Sequence, residues 1–360
     1  MHREETSPRQ GLSPDASVAH PSLGRLSSLN GIVLVCPRDR TPLEDRADGL
    51  ACPHCGTLYP RVRGIPILIN DANSAFAVAD YFGEDSYEGA SYGRADDRAT
   101  GWRRTARRIV SWLRGSRSSL RSTPPLSDLL DHARSLRAVP RVLVVGAGGA
   151  LIEDERAIVV HTDVAFAQHV QLIADAHDLP FADSSFDLVI AIAVLEHVAD
   201  PQRCVAEFAR VLDRGGFVYA VTPFLQPVHM GAYDFTRFTP IGHRRLFRQF
   251  DEVAAGVALG VGSMAASAFE AVLLGFSRHR AWRRLVGPLA LLATPILRRM
   301  DHLLRHNLDA VSGCWFFGTL RDGAPVSDRE LVKTYRQTFS VGPERLPRPP
   351  SRGSSLDPMS

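Results

Sequence analysis

Residues 175–201, DAHDLPFADSSFDLVIAIAVLEHVADP, are the stretch that decides the fold. It opens on Asp175, turns an apolar corner at Leu179-Pro180-Phe181, and enters at Phe186-Asp187 a run of apolar residues that reads as a buried strand. Asp is also a common turn residue, so Asp175 alone proves little. Glu196 and His197 follow the strand, in a place where they can cap it and steer the next loop.

Upstream, the strand RVLVV (141–145) runs into Gly146-Ala147-Gly148-Gly149-Ala150. Glycine admits positive φ and has no side chain, so such a turn lets backbone approach a ligand closely. The next strand, RAIVVHTD, ends in Asp163, placed to accept hydrogen bonds from the ribose of a nucleoside cofactor lying across the strand ends. Strands are expected at 141–145, 157–162, 187–192, 216–222, 252–259 and 313–319, and helices at 126–136, 201–212 and 240–250. That alternation is the pattern of a parallel sheet covered by helices.

The series VLVVGAGGA, HTDV, DAHDLPFADSSFDLVIAIAVLEHVADP and EFARVLDRGGFVYAVTPF resembles the class I S-adenosylmethionine-dependent methyltransferases. More narrowly it resembles the branch shared by ubiquinone/menaquinone-type and glycan- or natural-product enzymes. The resemblance covers 140–250, and more loosely extends through 319. It implies an α/β, doubly wound, Rossmann-like seven-stranded sheet whose final strand is antiparallel. It also implies that Gly146 and Gly148 pass under the methionine part of S-adenosyl-L-methionine. Asp163 would bind the ribose, Asp175 with the Ala176 backbone would meet the adenine, and Glu196 and His197 would lie at the reaction cleft. Two departures stand out: Val144 occupies the position of a common acidic residue, and the short interval from Gly146 to Asp163 requires an abbreviated first helix. A Rossmann dehydrogenase is the competing nucleotide-binding reading, and LPFADSSFDLVIAIAVLEHV argues against it.

The loop PVHMGAYDFTRFT (227–239) is neither a core run nor a solvated linker. In the enzymes resembled, a loop P-x-H-x-x-P-x-D-F-x-R-F-T follows the strand that ends near the methyl group. This chain matches at Pro227, His229, Asp234, Phe235, Arg237, Phe238 and Thr239, with Ala232 at the second Pro. His229 is the candidate base, because histidine titrates near neutral pH; alternatively it only stabilises the loop. Asp234 and Arg237 lie one helical turn apart if the segment begins a helix and are then expected to pair, with Tyr233 lining the acceptor side and the two Phe anchoring the loop. The reaction expected is methyl transfer to oxygen of a small molecule, sugar or lipid-linked glycan. Carbon methylation of a quinone-like ring and a non-catalytic scaffold binding a partner protein or membrane surface are the other readings. VLEHV stands where a nucleic-acid nitrogen methyltransferase would carry an Asn/Asp-Pro-Pro-aromatic motif, so nucleic acid is not an expected partner.

Before this domain, CPRD (36–39) and CPHC (52–55) flank a hairpin-like segment that ends in GTLYPRVRGIPILI. Paired C-x-x-C turns present thiolates to tetrahedral zinc, and here Asp39 takes one position. The module resembles the Trm112-like zinc ribbon fused ahead of such methyltransferases, which implies Cys36, Asp39, Cys52 and Cys55 as ligands of a structural Zn²⁺; a metal-free ribbon is the alternative.

The remaining organisation follows from composition. Residues 1–30 are expected to be a disordered tail, 31–70 the ribbon module, and 71–125 a linker. Residues 126–322 are expected to be the methyltransferase domain, interrupted by an apolar helical insertion at 262–306, and 323–360 a flexible tail. The linker holds a basic amphipathic helix around 102–113, with arginines from Arg103 to Arg117 around Trp102, Ala106, Ile109 and Leu113, suited to peripheral membrane contact or to packing on the domain. The insertion reads either as a lid for a lipid-linked acceptor or as two helices completing the core. A net charge of +3 gives no global drive toward nucleic acid. Five cysteines without a disulfide-like spacing, no signal-peptide pattern, and an apolar run of only 285–297 give a cytoplasmic expectation. The oligomeric state is not legible.

Overall fold

A computed structural model describes residues 28–82, 123–148, 151–304, 308–335 and 346–349. A hairpin of β1 (Ser28–Leu29) and β2 (Ile32–Val33) precedes the antiparallel strands β3 (Glu44–Arg46), β4 (Gly49–Ala51), β5 (Leu58–Val62) and β6 (Ile65–Leu68). The apolar run GIVLVC (31–36) contributes only β2 and isolated pairings of Leu34 with Phe181 and Val35 with Pro42.

After helix α1 (Leu126–Leu136) come the parallel strands β7 (Arg141–Val145), β8 (Ile158–Asp163), β9 (Leu172–Ala174), β10 (Phe186–Ile192) and β11 (Leu212–Pro223). β12 (Phe250–Leu259) and β13 (Gly313–Leu320) close that end antiparallel, with β13 between β11 and β12. β7 and β10 are apolar almost throughout because both faces are covered. Leu143 and Val145 join one core cluster, Val142 and Val144 the other, as the two-residue period of a strand requires.

The sheet order is β12-β13-β11-β10-β7-β8-β9, the doubly wound arrangement with an antiparallel final strand. It does not stop at seven strands. β6 pairs in parallel with β9, Ile67 opposite Ile173 and Leu68 opposite Ala174, so the sheet runs on through β6-β5-β4-β3 to eleven. β9 would otherwise be an unpaired edge, and the fully buried IPIL strand covers it. Leu34, Cys36, Leu43 and Tyr59 share a core cluster with Val189 and Phe316, and Arg40 reaches Glu207 at 3.1 Å. The ribbon is packed into the catalytic domain rather than tethered to it.

The crossover from β7 to β8 carries no helix among its described residues, one step beyond the abbreviation expected. Helix α2 (Pro201–Val211) starts at Asp200, whose side chain accepts from the Arg203 amide at 3.0 Å, with Pro201 as first helical residue. The helix expected at 240–250 ends early: α3 spans Pro240–Leu246, since Phe250 must already pair with Leu320 in β12. The insertion forms two helices, α4 (Val261–Gly275) and α5 (Arg280–Arg299). Part of the segment expected to be flexible from 323 is ordered as α6 (Asp328–Thr334), capped by Ser327 and tied down by Arg245 to Asp328 at 2.9 Å. The basic helix expected around 102–113 lies outside the described residues.

Candidate active site

Gly146 leaves β7 at φ +62°, and a Cβ built there would sit 2.5 Å from Val194 Cγ2. Both facts demand glycine. Gly148, also at positive φ, donates its amide to Asp163 Oδ2 at 2.7 Å, while Asp163 Oδ1 accepts from the Ala165 amide at 2.9 Å. Asp163 thus binds the glycine turn to the end of β8.

Around these residues opens a cleft of about 730 Å³, solvent-facing space included. Gly146, Asp163, Asp175 and Ala176 line it together; Gly148 stands behind them. Asp175 accepts from His177 Nδ1 at 2.6 Å, from the His177 amide at 3.0 Å, and from Ser74 Oγ. Burial pushes the Asp175 carboxyl up, but His177 and Ser74 outweigh it and hold it below the usual carboxylate range. Burial lowers His177 in turn, and Asp175 outweighs that too, so the imidazole is raised.

The roof of the cleft was not read from the sequence. Residues 71–82, expected as linker, cross the site: Phe76 stacks on Tyr233 with centroids 5.3 Å apart, and Tyr81 donates to the Val164 carbonyl at 2.7 Å. Asn70 and Asn73 both donate to Asp178, at 2.9 and 3.1 Å, fastening the segment. Phe76 and Tyr81, aromatic within a polar stretch, were the available signal.

Two loops that follow β10 and β11 gather Glu196, His197 and His229, and of the three His197 lines the cleft. Phe235 and Thr236 donate their amides to the Glu196 carbonyl at 2.8 and 3.2 Å, stitching the loops together. Burial raises the Glu196 carboxyl to about 7. His197 Nδ1 contacts the Tyr233 carbonyl at 2.7 Å, and burial lowers this imidazole despite that bond. The His197 and His229 rings meet edge to face, 4.6 Å between centroids.

Asp234 and Arg237 pair, yet not along a helix: only Gly231–Tyr233 form a 3₁₀ turn. Arg237 Nη2 reaches Asp234 Oδ2 at 2.6 Å and the Pro227 carbonyl at 3.2 Å. Asp234 Oδ2 also accepts from the His229 amide at 2.8 Å, and Arg237 holds the Asp234 carboxyl down at about 2. Of the two Phe expected as anchors, Phe238 packs on the core, while Phe235 is half exposed and lines the cleft.

In the ribbon, Cys36 Sγ and Cys55 Sγ lie 3.7 Å apart, and Asp39 Oδ2 lies 3.4 Å from Cys52 Sγ. Tetrahedral zinc with bonds of about 2.3 Å needs sulfur–sulfur edges of roughly 3.8 Å. The four donors therefore fit that ion. His54, inside the Cys52–Cys55 turn, contacts Asp39 at 3.1 Å rather than joining the donor set.

Residues 152–220 match the family model of a methyltransferase domain. A phosphatidylethanolamine N-methyltransferase of Cereibacter sphaeroides is 44% identical over 50 residues, 14% of this chain and 25% of that protein. An uncharacterised 37.1 kDa protein of transposon TN4556 from Streptomyces fradiae is 36% identical over 92 residues, 26% of each chain. The chain spans about a quarter of the length of the curated relatives it matches. Among solved structures, phosphoethanolamine N-methyltransferase 2 of Haemonchus contortus with S-adenosyl-L-methionine is 13% identical, with 61% of this chain and 57% of that one covered and a TM-score of 0.35. The fold is Rossmann-like and of the methyltransferase type, with the matched domain at its centre.

Proposed function

We propose that the protein is an S-adenosyl-L-methionine-dependent methyltransferase that methylates oxygen of a small molecule, sugar or lipid-linked glycan. The observation that carries this is that Asp163, Asp175, His197 and Tyr233 line one cleft together. S-adenosyl-L-methionine, when bound, supplies an electrophilic methyl group on a sulfonium. Asp163 would hold the ribose, and Asp175 with the Ala176 backbone the adenine. Gly146, which lines the cleft, would pass under the methionine part. Phe76 and Tyr233 exclude water from above. His197, which lines the cleft with Glu196 and His229 behind it, would then face the acceptor hydroxyl, whose proton must leave as the oxygen attacks in line. Cys36, Asp39, Cys52 and Cys55 would hold a structural Zn²⁺, a closed site that stiffens the ribbon and takes no part in the chemistry.

Isothermal titration with S-adenosyl-L-methionine tests the reading. Saturable binding that is lost in Asp163→Ala is expected; no heat at millimolar cofactor would leave only the scaffold reading.

A further inference from the structure

Glu196 is buried to a degree that carboxylates rarely tolerate: its side chain is 1% exposed, and neither oxygen has a hydrogen-bond partner. The nearest basic atoms are two imidazole nitrogens, His197 Nε2 at 3.7 Å and His229 Nε2 at 3.9 Å, both from Oε1. The Tyr233 carbonyl can only accept, so His197 Nδ1 carries the proton and Nε2 presents a lone pair toward Glu196. His229 Nδ1 lies 3.4 Å from Arg237 Nη2, which can only donate, and 3.4 Å from Asp234 Oδ2, so a cation on Nε2 requires the tautomer in which Nδ1–H turns to Asp234. An outer nitrogen held by a carbonyl or carboxylate is the usual setting of a metal-bound histidine.

We propose that Glu196, His197 and His229 bind a divalent first-row cation through one carboxylate oxygen and two imidazole nitrogens. The donor atoms lie within 4.8 Å of one another. Bonds of about 2.1 Å require donors roughly 3 Å apart, so separations of up to 4.8 Å must close by as much as about 1.8 Å to complete the site. The half-exposed His229 loop can supply that movement. One carboxylate with two histidines leaves positions open for water or an acceptor oxygen. The inference rests on the methyl-transfer reading only for its purpose: a cation there lowers the pKa of a coordinated hydroxyl beside the methyl donor.

Mn²⁺ is the probe, because it favours oxygen and nitrogen donors over the thiolates of the ribbon. Titration of the full chain, followed by the paramagnetic signal of free Mn²⁺, is expected to show one saturable site. Cys55→Ser retains that site, whereas Glu196→Gln and His229→Ala weaken it at least tenfold, and Asp234→Asn weakens it about tenfold. Circular dichroism checks that each variant is folded, and His229→Ala, in an exposed loop, gives the readout should Glu196→Gln fail to fold. No saturable Mn²⁺ site, or undiminished binding in folded His229→Ala, overturns the proposal. S-adenosyl-L-methionine binding, measured separately, stands or falls with the methyltransferase reading alone.

An independent observation carries a second inference. On α5, Val286, Ala290 and Thr294 are buried, while Leu285, Leu289, Leu292 and Ile296 form a separate exposed stripe, joined by Val272 and Phe276 at the end of α4. Arg278, Arg280, Arg283, Arg284 and Arg299 are exposed beside it, and no acidic residue occurs from 271 to 300. The hairpin is rigid at its base, where buried Asp301 accepts from the Ser263 amide at 3.0 Å and hydroxyl at 2.7 Å. No described helix is long and apolar enough to cross a membrane. We infer that α4 and α5 seat the protein on an anionic lipid bilayer, with the stripe in the interface and the arginines on the headgroups. Leu259 pairs with Gly313 and Gly313 with Pro223, so the hairpin rises from the sheet edge that also bears Glu196 and His229.

Co-sedimentation with vesicles of phosphatidylglycerol and phosphatidylcholine is expected to capture the protein, and pure phosphatidylcholine to leave it in solution. Leu289→Glu with Leu292→Glu reduces capture at least tenfold, and Arg283→Ala or Arg284→Ala each about fivefold. Lack of capture, capture unchanged in the leucine variant, or a concentration-dependent dimer that this variant abolishes would each overturn it.

Discussion

His197 Nδ1 lies 2.7 Å from the main-chain carbonyl of Tyr233, and that contact joins the loop after β10 to the loop after β11. It fixes the imidazole tautomer through backbone alone. The part of the cleft around His197 therefore depends on how two loops meet, and each loop can be tested separately.

Replacing His229 by Ala is expected to lower turnover about a hundredfold or more while S-adenosyl-L-methionine affinity stays within a few-fold. The imidazole lies beside Glu196, away from Asp163 and Asp175. Single-turnover rates and calorimetry make the comparison; unchanged turnover removes His229 from the chemistry.

Gly146→Ala meets two penalties, a positive φ and a Cβ 2.5 Å from Val194 Cγ2. A loss of about 1–3 kcal/mol in denaturant unfolding is expected, with weakened cofactor binding. Adding Val194→Ala removes the collision but not the backbone strain, so recovery is partial. Full recovery in the double variant would show that φ costs nothing there.

The Asp175–His177 pair gives stability that is lost at both ends of the pH scale. Asp175 is depressed in the folded state, so its contribution is complete above the ordinary Asp value of about 3.9 and is lost as pH falls through the lower folded value. His177 is raised, so its contribution is complete below about 6.5 and is lost as pH rises through the higher folded value. His177→Gln should flatten the decline on the alkaline side in melting curves recorded from pH 5 to 9. A profile identical to wild type refutes the linkage.

Arg237→Lys is expected to behave like Arg237→Ala rather than like wild type. The guanidinium binds Asp234 with both terminal nitrogens and also reaches the Pro227 carbonyl, which one ammonium cannot reproduce. Both variants should raise the acceptor KM and loosen the 227–237 loop in hydrogen exchange.

Zinc binding to the ribbon should release protons at neutral pH, because burial pushes the metal-free Cys36 thiol up to about 12. Calorimetry in buffers of different ionisation enthalpy counts them. A heat independent of buffer means that Cys36 is not a ligand.

Much of this architecture is local and therefore legible in the chain. Gly146, the acid ending β8 and the apolar run of β10 are each set by backbone conformation or by burial of neighbouring residues, which one segment can display. The Asp234–Arg237 pair was legible from opposite charges three positions apart, although the helix on which that expectation rested does not form and the folded loop brings them together.

The pairing of β6 with β9, the Phe76 roof over Tyr233, and the union of Glu196 with His197 and His229 belong to another category. Each joins segments far apart in sequence, and no periodicity or spacing within either segment encodes the partner. The sequence determined a doubly wound sheet with a glycine turn and two acids at its carboxyl edge. Only the tertiary structure decided that the ribbon extends that sheet and that a buried carboxylate faces two imidazoles, because burial and long-range pairing are properties of packed segments together.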